Sequence, residues 1–246
     1  MHTYSASQPP PLSSFRPEAT SFFFDIDGTL APIVEEPSAA AIPARMLARV
    51  MELQARGGAV AVVSGRSIGQ IDMMLSPHIL PAAGEHGATI RLATAHREMV
   101  EPMATSLEMA RREANLFAAA HPGLVVEHKT HSFAVHYRSV PERGEDVMTF
   151  TDGVLARHAD LNRRLGKMVA EITASARTKG DAVHHFMKHD PFRGRVPLFI
   201  GDDITDEDGI AAAQDLGGVG IKVGPGDTGA RYRISEWQAF ARWLTA

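Results

Sequence analysis

Ser21-Phe22-Phe23-Phe24-Asp25-Ile26-Asp27-Gly28-Thr29 joins an apolar run to two carboxylates and a glycine. Three consecutive phenylalanines without polar alternation predict a strand buried on both faces, the mark of a parallel sheet. The carboxylates then fall at the C-terminal tip of that strand, where open α/β sheets bind ligands. A second stretch repeats the arrangement: Val196-Pro197-Leu198-Phe199-Ile200 runs into Gly201-Asp202-Asp203-Ile204-Thr205-Asp206. Carboxylates crowded at strand tips disfavour one another's ionised form unless a cation offsets them. Oxygen donors in small number suit Mg²⁺, which keeps several waters and recruits phosphate oxygens. The two stretches together imply a Mg²⁺-dependent phosphoryl-transfer site.

Working outward, residues 22–100 alternate strand and helix. Pro43 opens a helix with Met46, Leu47, Val50 and Leu53 on one face, and Gly57-Gly58 ends it. A buried strand over 59–63 leads to Ser64-Gly65-Arg66; a helix over 68–75, a strand over 79–83 and the turn Gly84-Glu85-His86-Gly87 come next. The alternation resumes in 178–246, with a helix from Lys179, strands over 196–200 and 219–223, and a last helix over 236–244. Between them the rhythm changes to a helix (104–120), a hairpin (124–129 and 132–138), a helix (142–158) and a strand (167–173). That is the plan of a small α+β module. The expected chain is therefore α/β, with a Rossmann-like core whose parallel sheet is flanked by helices. The core occupies 21–101 and 177–246, and the α+β domain is inserted at 102–176. Residues 1–20, rich in Ser and Pro, are expected to form a loose tail.

Composition narrows the partners. The 246 residues, 44% hydrophobic, suffice for a core domain plus a small second one. A net charge of -4 lacks the basic excess that nucleic acid requires. The absence of cysteine excludes a disulfide framework and thiolate chemistry, and fits a cytoplasmic placement. No apolar run approaches a membrane span, and residues 1–20 lack the basic start and apolar middle of a signal peptide. The expected partner is a small phosphorylated molecule, with neither nucleic acid nor membrane.

Asp25 and Asp27, two apart, would share one face of a strand. One carboxylate can attack phosphorus and form an aspartyl-phosphate. The other can protonate a leaving oxygen and later take a proton from water. Gly28 lets the chain turn away sharply. A plain Asp-Gly turn after a strand accounts for the same letters. Ser64 and the Gly65 amide can hold a phosphate oxygen, although Ser64 could equally cap a helix. Lys179 at a helix start opposes the macrodipole, which makes sense opposite phosphate and carboxylates; a solvated surface lysine is the alternative. Asp202 and Asp206, four apart, let one reach a metal while the other orients the lysine. An acidic helix start explains Asp206-Glu207-Asp208 well, but Asp202 less well.

In chain order, Asp-x-Asp-Gly-Thr, a strand-end Ser, a helix-start Lys and Gly-Asp-Asp-x-x-x-Asp resemble the haloacid dehalogenase (HAD) superfamily of phosphohydrolases. The resemblance covers about 21–97 and 178–244. It implies Asp25 as nucleophile, Asp27 as general acid/base, and Ser64 and Lys179 on the phosphoryl group. It implies Asp202 as Mg²⁺ ligand with Asp25 and the Asp27 carbonyl, Asp203 and Asp206 in support, and the inserted module as a cap. Further stretches are similar to the trehalose-6-phosphate phosphatase family: Asp25 to Ile33, Ser64-Gly65-Arg66, Gly84 to Gly87, Glu127-His128-Lys129, His136-Tyr137-Arg138 and Gly201 to Asp208. That similarity implies hydrolysis of trehalose 6-phosphate, with Glu127 and Lys129 on the distal sugar and Arg66, His86 and Arg138 as further substrate contacts.

Two departures stand out. The family commonly has Glu-hydrophobic-Arg-Pro before its Lys-Gly; here Glu171-Ile172 is followed by Thr173-Ala174. Ile26 stands where an aromatic is often found. Neither removes a catalytic group, so both bear on the sugar more than on hydrolysis. Another sugar phosphate (sucrose phosphate, a mannosyl phosphoglycerate, a hexose phosphate), a mutase and a non-catalytic sensor stay open. Glu127, Lys129, His136 and Arg138 also read as the polar face of a half-buried hairpin. The length leaves no room for a glycosyltransferase domain, so a functional link to a separate trehalose-6-phosphate synthase is expected.

Overall fold

A computed structural model describes residues 7–34, 39–93, 96–99 and 105–246. In chain order the elements are β1 (Thr20–Phe24), α1 (Ala44–Ala55), β2 (Ala59–Val63), α2 (Ile68–Leu75), β3 (Ala82–Gly84), β4 (Thr89–Ala93), β5 (His96–Met99), α3 (Thr105–Ala120), β6 (Val125–His128) and β7 (Ser132–His136). They continue with α4 (Gly144–Arg157), β8 (Asn162–Gly166), β9 (Val169–Thr173), α5 (Lys179–Phe186), β10 (Val196–Gly201), α6 (Asp206–Asp215), β11 (Val219–Val223), β12 (Tyr232–Ile234) and α7 (Trp237–Thr245). The chain divides into two compact units, Met1–Glu98 with Arg177–Ala246, and Met99–Ala176.

The first unit is built on a sheet of order β12-β11-β10-β1-β2-β3-β4-β5. β1 runs parallel to both neighbours, with Phe24 in register with Ile200 and Val62. β4 returns antiparallel to β3. Chain order reverses across β1, so the tips of β1 and β10 flank a topological switch point, where such sheets bind ligands. The three phenylalanines explain why β1 sits there. Phe22 and Phe24 stack at 6.3 Å on one face and join a core with Met46, Val50, Phe240 and Leu244. Phe23 faces the other layer, 5.5 Å from Phe192 and 5.7 Å from Phe186. Burying a side chain of this size contributes about 1.5–3 kcal/mol, so β1 is anchored in both layers and its tip is a rigid platform.

The second unit is an antiparallel sheet of order β6-β7-β9-β8. One face carries Phe133, Val135 and Ile172 onto Leu107 and Ala114 of α3 and Val147 and Val154 of α4. Alternation sends Glu127, Ala134, Glu171 and Arg164 to the opposite face, in register across all four strands.

Several expectations need correction. The strand expected over 167–173 is the second arm of a hairpin, β8 and β9. Asn162-Arg163-Arg164-Leu165-Gly166 carries no strand signal, because one apolar residue in five gives no alternation. β4, β5 and β12 are further strands that the sequence does not announce. Residues 7–19 are not a loose tail. Leu12 is buried, Phe15 meets Trp243 edge-on at 6.4 Å, and Trp243 Nε1 donates to the Pro10 carbonyl at 2.8 Å. Ser and Pro dominate the segment's composition, yet its few apolar side chains cover α7. Residues 1–6, the expected core-to-cap boundary at 101 and 102, and Ala104 lie outside the described residues. Among the described residues no helix is long and apolar enough to cross a membrane.

Candidate active site

The site grows from the tip of β1. Asp25 N donates to the Ile200 carbonyl at 3.0 Å, so the chain leaves the sheet still tied to β10. It then coils tightly, with Ala31 N donating to Ile26 O and Gly28 N to Ala31 O, both at 2.8 Å. Gly28 has φ +83°, and a Cβ there would lie 2.2 Å from Asp202 Cγ. Both the backbone and the close approach require glycine. Gly28→Ala is expected to cost about 1–3 kcal/mol, read as a lower thermal midpoint. An unchanged midpoint and unchanged activity would refute the close packing of Gly28 against Asp202.

Lys179 is the first residue of α5, whose N-cap Thr178 forms a capping box with Asp181. That box, and Asp181 in the first turn, compensate a lysine placed against the macrodipole. Lys179 is buried, and its Nζ donates to Asp25 Oδ1 at 2.8 Å and to Asp206 Oδ1 at 2.6 Å. Asp206 is fully buried. Its Oδ2 accepts the N–H groups of Asp202 and Asp203, both at 2.9 Å. A Cβ on Gly201 would lie 2.2 Å from Asp206 Cγ, so this glycine too makes room for a carboxylate.

Asp27 is held differently. Arg66 grips it with both prongs, Nε to Oδ2 at 2.7 Å and Nη2 to Oδ1 at 2.6 Å. Such bidentate pairs fix geometry as well as charge. Ser64 is buried at the end of β2, and its Oγ accepts the Arg66 N–H at 3.3 Å. His86 N donates to Ser64 O at 3.0 Å and Glu85 N to Arg66 O at 2.9 Å. Glu85 (φ 50°) and His86 (φ 59°) are both left-handed. The His86 ring lies over Gly65, where a Cβ would be 2.6 Å from Nε2. Two successive non-glycine residues in this region cost about 1–3 kcal/mol each, strain that persists where a surrounding site enforces it. The sequence indicates the turn but not its strain.

Burial pushes the Asp25 carboxyl well above the ordinary carboxylate range. Asp206, Asp202 and Asp27 push it the same way, against Lys179. Burial opposes the Lys179 ammonium, but Asp206 and Asp25 outweigh it and hold the lysine's pKa above its ordinary value. A single lysine therefore does not balance the carboxylates around it. Oxygens of Asp25, Asp202 and Asp206 lie within 4.8 Å of one another. An all-oxygen donor set with surplus negative charge fits a hard divalent cation. Asp206 already has its oxygens engaged, Oδ1 by the lysine and Oδ2 by two amides, so Asp25 and Asp202 are the stronger candidates to hold such a cation.

The second unit brings together other residues anticipated from the sequence. His136 Nε2 lies 3.0 Å from Glu127 Oε2. Lys129, just past β6, donates to Glu171 Oε2 at 3.3 Å, and Ser132 Oγ donates to Glu171 Oε1 at 2.6 Å. Arg111 holds the carbonyls of Lys129, Thr130 and Ser132. Arg138 is exposed and reaches the Lys167 carbonyl at 3.4 Å. Glu171 is the member of this group that sequence reasoning missed. Its place at the head of the Glu-hydrophobic pattern ahead of Lys179-Gly180 is the sequence signal that could have marked it; its register opposite Ala134 is visible only in the structure. Thr173, where the family pattern has Arg, donates to His131 O at 3.2 Å and accepts from Ser175 N at 3.0 Å, tying the exit of β9 to the hairpin turn.

Known proteins share this fold and are related to this chain in sequence. The family model described as trehalose-phosphatase matches residues 23–239. The chain is 36% identical to the trehalose-6-phosphate phosphatase of Escherichia coli (strain K12) over 226 residues, covering 91% of this chain and 85% of that protein. It is 38% identical over 209 residues to a probable trehalose-phosphate phosphatase of Sinorhizobium fredii, covering 83% and 78%. Its fold is similar to that of the C-terminal domain of C. albicans trehalose-6-phosphate phosphatase, with TM-score 0.82 and 21% identity over 92% of this chain and 91% of that one. A HAD subclass IIB sugar phosphatase shares the fold at TM-score 0.63 and 15% identity, covering 91% and 96%. The chain is an enzyme with the HAD fold, and it belongs to the trehalose-phosphatase family.

Proposed function

We propose that this enzyme hydrolyses trehalose 6-phosphate to trehalose and phosphate through an aspartyl-phosphate on Asp25, with Mg²⁺ held by Asp25, Asp202 and the Asp27 carbonyl. The observation that carries the reading is the buried Asp25–Lys179–Asp206 chain at the tip of β1. Family membership supports the substrate. Lys179 engages Oδ1 of Asp25, and we assign the attack on phosphorus to Oδ2. As the Oδ2–P bond forms, the bond from phosphorus to the sugar oxygen breaks, and Asp27 protonates that oxygen. In the second half, Asp27 takes a proton from water, whose oxygen attacks phosphorus and frees Asp25. Asp27 enters the first step protonated, with one prong of Arg66 released, and Arg66 re-forms its two-pronged hold on the carboxylate once the proton has left. Lys179, Ser64 and the Gly65 amide offset charge on the phosphoryl oxygens. Mg²⁺ would supply positive charge that keeps Asp25 ionised and offsets the transferring group.

Glu127, His136 and Glu171 on one small sheet, with Lys129 just past β6, are charged or hydrogen-bonding groups suited to sugar hydroxyls. Arg66, His86 and Arg138 are further candidates for substrate contact, and Asp203 supports the metal loop. Synthesis of trehalose 6-phosphate belongs to a glycosyl-transferring enzyme, so a separate synthase is the proposed supplier.

Phosphate release from a panel of sugar phosphates, with Mg²⁺ and with chelator, tests the reading. The expected result is a strong preference for trehalose 6-phosphate that chelator abolishes. Broad release would keep the phosphatase and reject the sugar. A folded protein that releases phosphate from none of them would sink the proposal.

A further inference from the structure

Lys222 lies on β11, in register with Gly201 of β10, and is 3% exposed. Its Nζ donates to the Asp202 carbonyl at 2.6 Å and to the Asp203 carbonyl at 3.3 Å. Glu207 Oε1 lies 3.7 Å away, while Glu207 Oε2 accepts from Thr228 Oγ1 at 3.1 Å and from Gly229 N at 2.9 Å. An ammonium buried at a strand end is costly unless its protons are used. Here they are directed at the backbone of the two adjacent aspartates.

The same two residues are held from the other side. Their N–H groups point at Asp206 Oδ2, and their carbonyls point at Lys222. The Asp202–Asp203 peptide is thus clamped between a buried anion and a buried cation. That clamp fixes the direction in which the Asp202 side chain leaves the loop. We propose that Lys222 is a positioning residue. By holding this peptide it keeps the Asp202 carboxylate beside Asp25, and so sets the affinity for the divalent cation. The inference rests on the Mg²⁺ reading above.

The sign of the effect separates positioning from charge. If Lys222 acted only as a nearby positive charge, removing it would tighten Mg²⁺ binding, because like charges repel. Positioning predicts the reverse.

The experiment is calorimetric titration of the full chain with Mg²⁺, for wild type, Lys222→Met and Lys222→Arg, below their unfolding temperatures. In parallel, phosphate release is followed as a function of Mg²⁺. Lys222→Met is expected to bind Mg²⁺ about 10-fold or more weakly, the size of effect seen when groups that orient metal ligands are removed. Raising Mg²⁺ should restore most of its turnover, which puts the defect in ion binding. Lys222→Arg, which keeps charge and donors, should recover most of the lost affinity. Unchanged or tighter Mg²⁺ binding by folded Lys222→Met overturns the proposal. So does an Arg variant as weak as the Met variant, which would mark a packing effect. Should Lys222→Met fail to fold, Lys222→Gln takes its place in the same titration. A wild type that binds no Mg²⁺ overturns the metal reading and this inference together. A wild type that binds, with a Met variant that binds equally, overturns this inference alone.

Discussion

Asp25→Asn is expected to lower phosphate release by about 10⁴-fold or more, as removal of a nucleophile does in other covalent mechanisms. The protein should nonetheless fold, and in chelator at neutral pH it should be more stable than wild type. The second expectation follows from the crowding of carboxylates. Burial, then Asp206, raises the folded-state pKa of Asp25. A carboxyl raised in the folded state costs stability as pH climbs from the ordinary carboxylate range through the raised value. An asparagine carries no such charge, so the gap over wild type should open with rising pH and close toward acid. Thermal midpoints in chelator across that range measure it, and Mg²⁺ should narrow the gap by stabilising wild type. Turnover retained by Asp25→Asn would end the nucleophile assignment. A variant no more stable than wild type at neutral pH would instead refute the crowding argument.

Lys179→Met is expected to do more damage to the fold. It leaves Asp25 and Asp206 buried without their shared cation. Breaking a buried pair in this way costs about 3–5 kcal/mol, and turnover should be lost with it. The raised pKa of Lys179 means that its stabilising contribution is present throughout the range below the ordinary lysine value and is lost only in strong alkali. The pH dependence of the variant therefore comes from the stranded carboxylates. Its deficit should be largest at neutral pH and shrink as acid protonates them. Urea unfolding of wild type and variant at neutral and mildly acidic pH gives the comparison. Equal stability at neutral pH would contradict the buried ion-pair chain.

How much of this could be read from the letters depends on how local the signal is. β1, β2 and β10 are short apolar runs ending in polar tips, and such strands announce themselves. So do the glycines next to them. β8 carries Arg163 and Arg164 and a single leucine, so its place in a sheet is fixed only by pairing with β9. β12 is three residues long, and its pairing with β11 defines it. At the site, Asp25, Asp27, Lys179 and Asp202 belong to recognisable local patterns. The bidentate hold of Arg66 on Asp27 does not, because 39 residues separate them. Lys222 reads as an ordinary polar residue within a strand, and only its distance to two carbonyls gives it a role. The tail misleads for a compositional reason: Pro and Ser outnumber Leu12 and Phe15, yet those two do the packing.

The inserted 99–176 unit also bears on how the enzyme comes into being. Asp25 is synthesised 154 residues before the lysine that partners it. When the inserted unit has emerged from the ribosome, β1 has β2 beside it but not β10, and half of its hydrogen-bonding edge is unpaired. Contacts this distant in sequence close slowly. The nascent protein therefore holds β1 with one edge open for much of its synthesis, and such open edges are where chaperones or misassociation act. The lysine and the remaining aspartates of the candidate site come only with the last third of the chain, on and beside α5, β10 and α6.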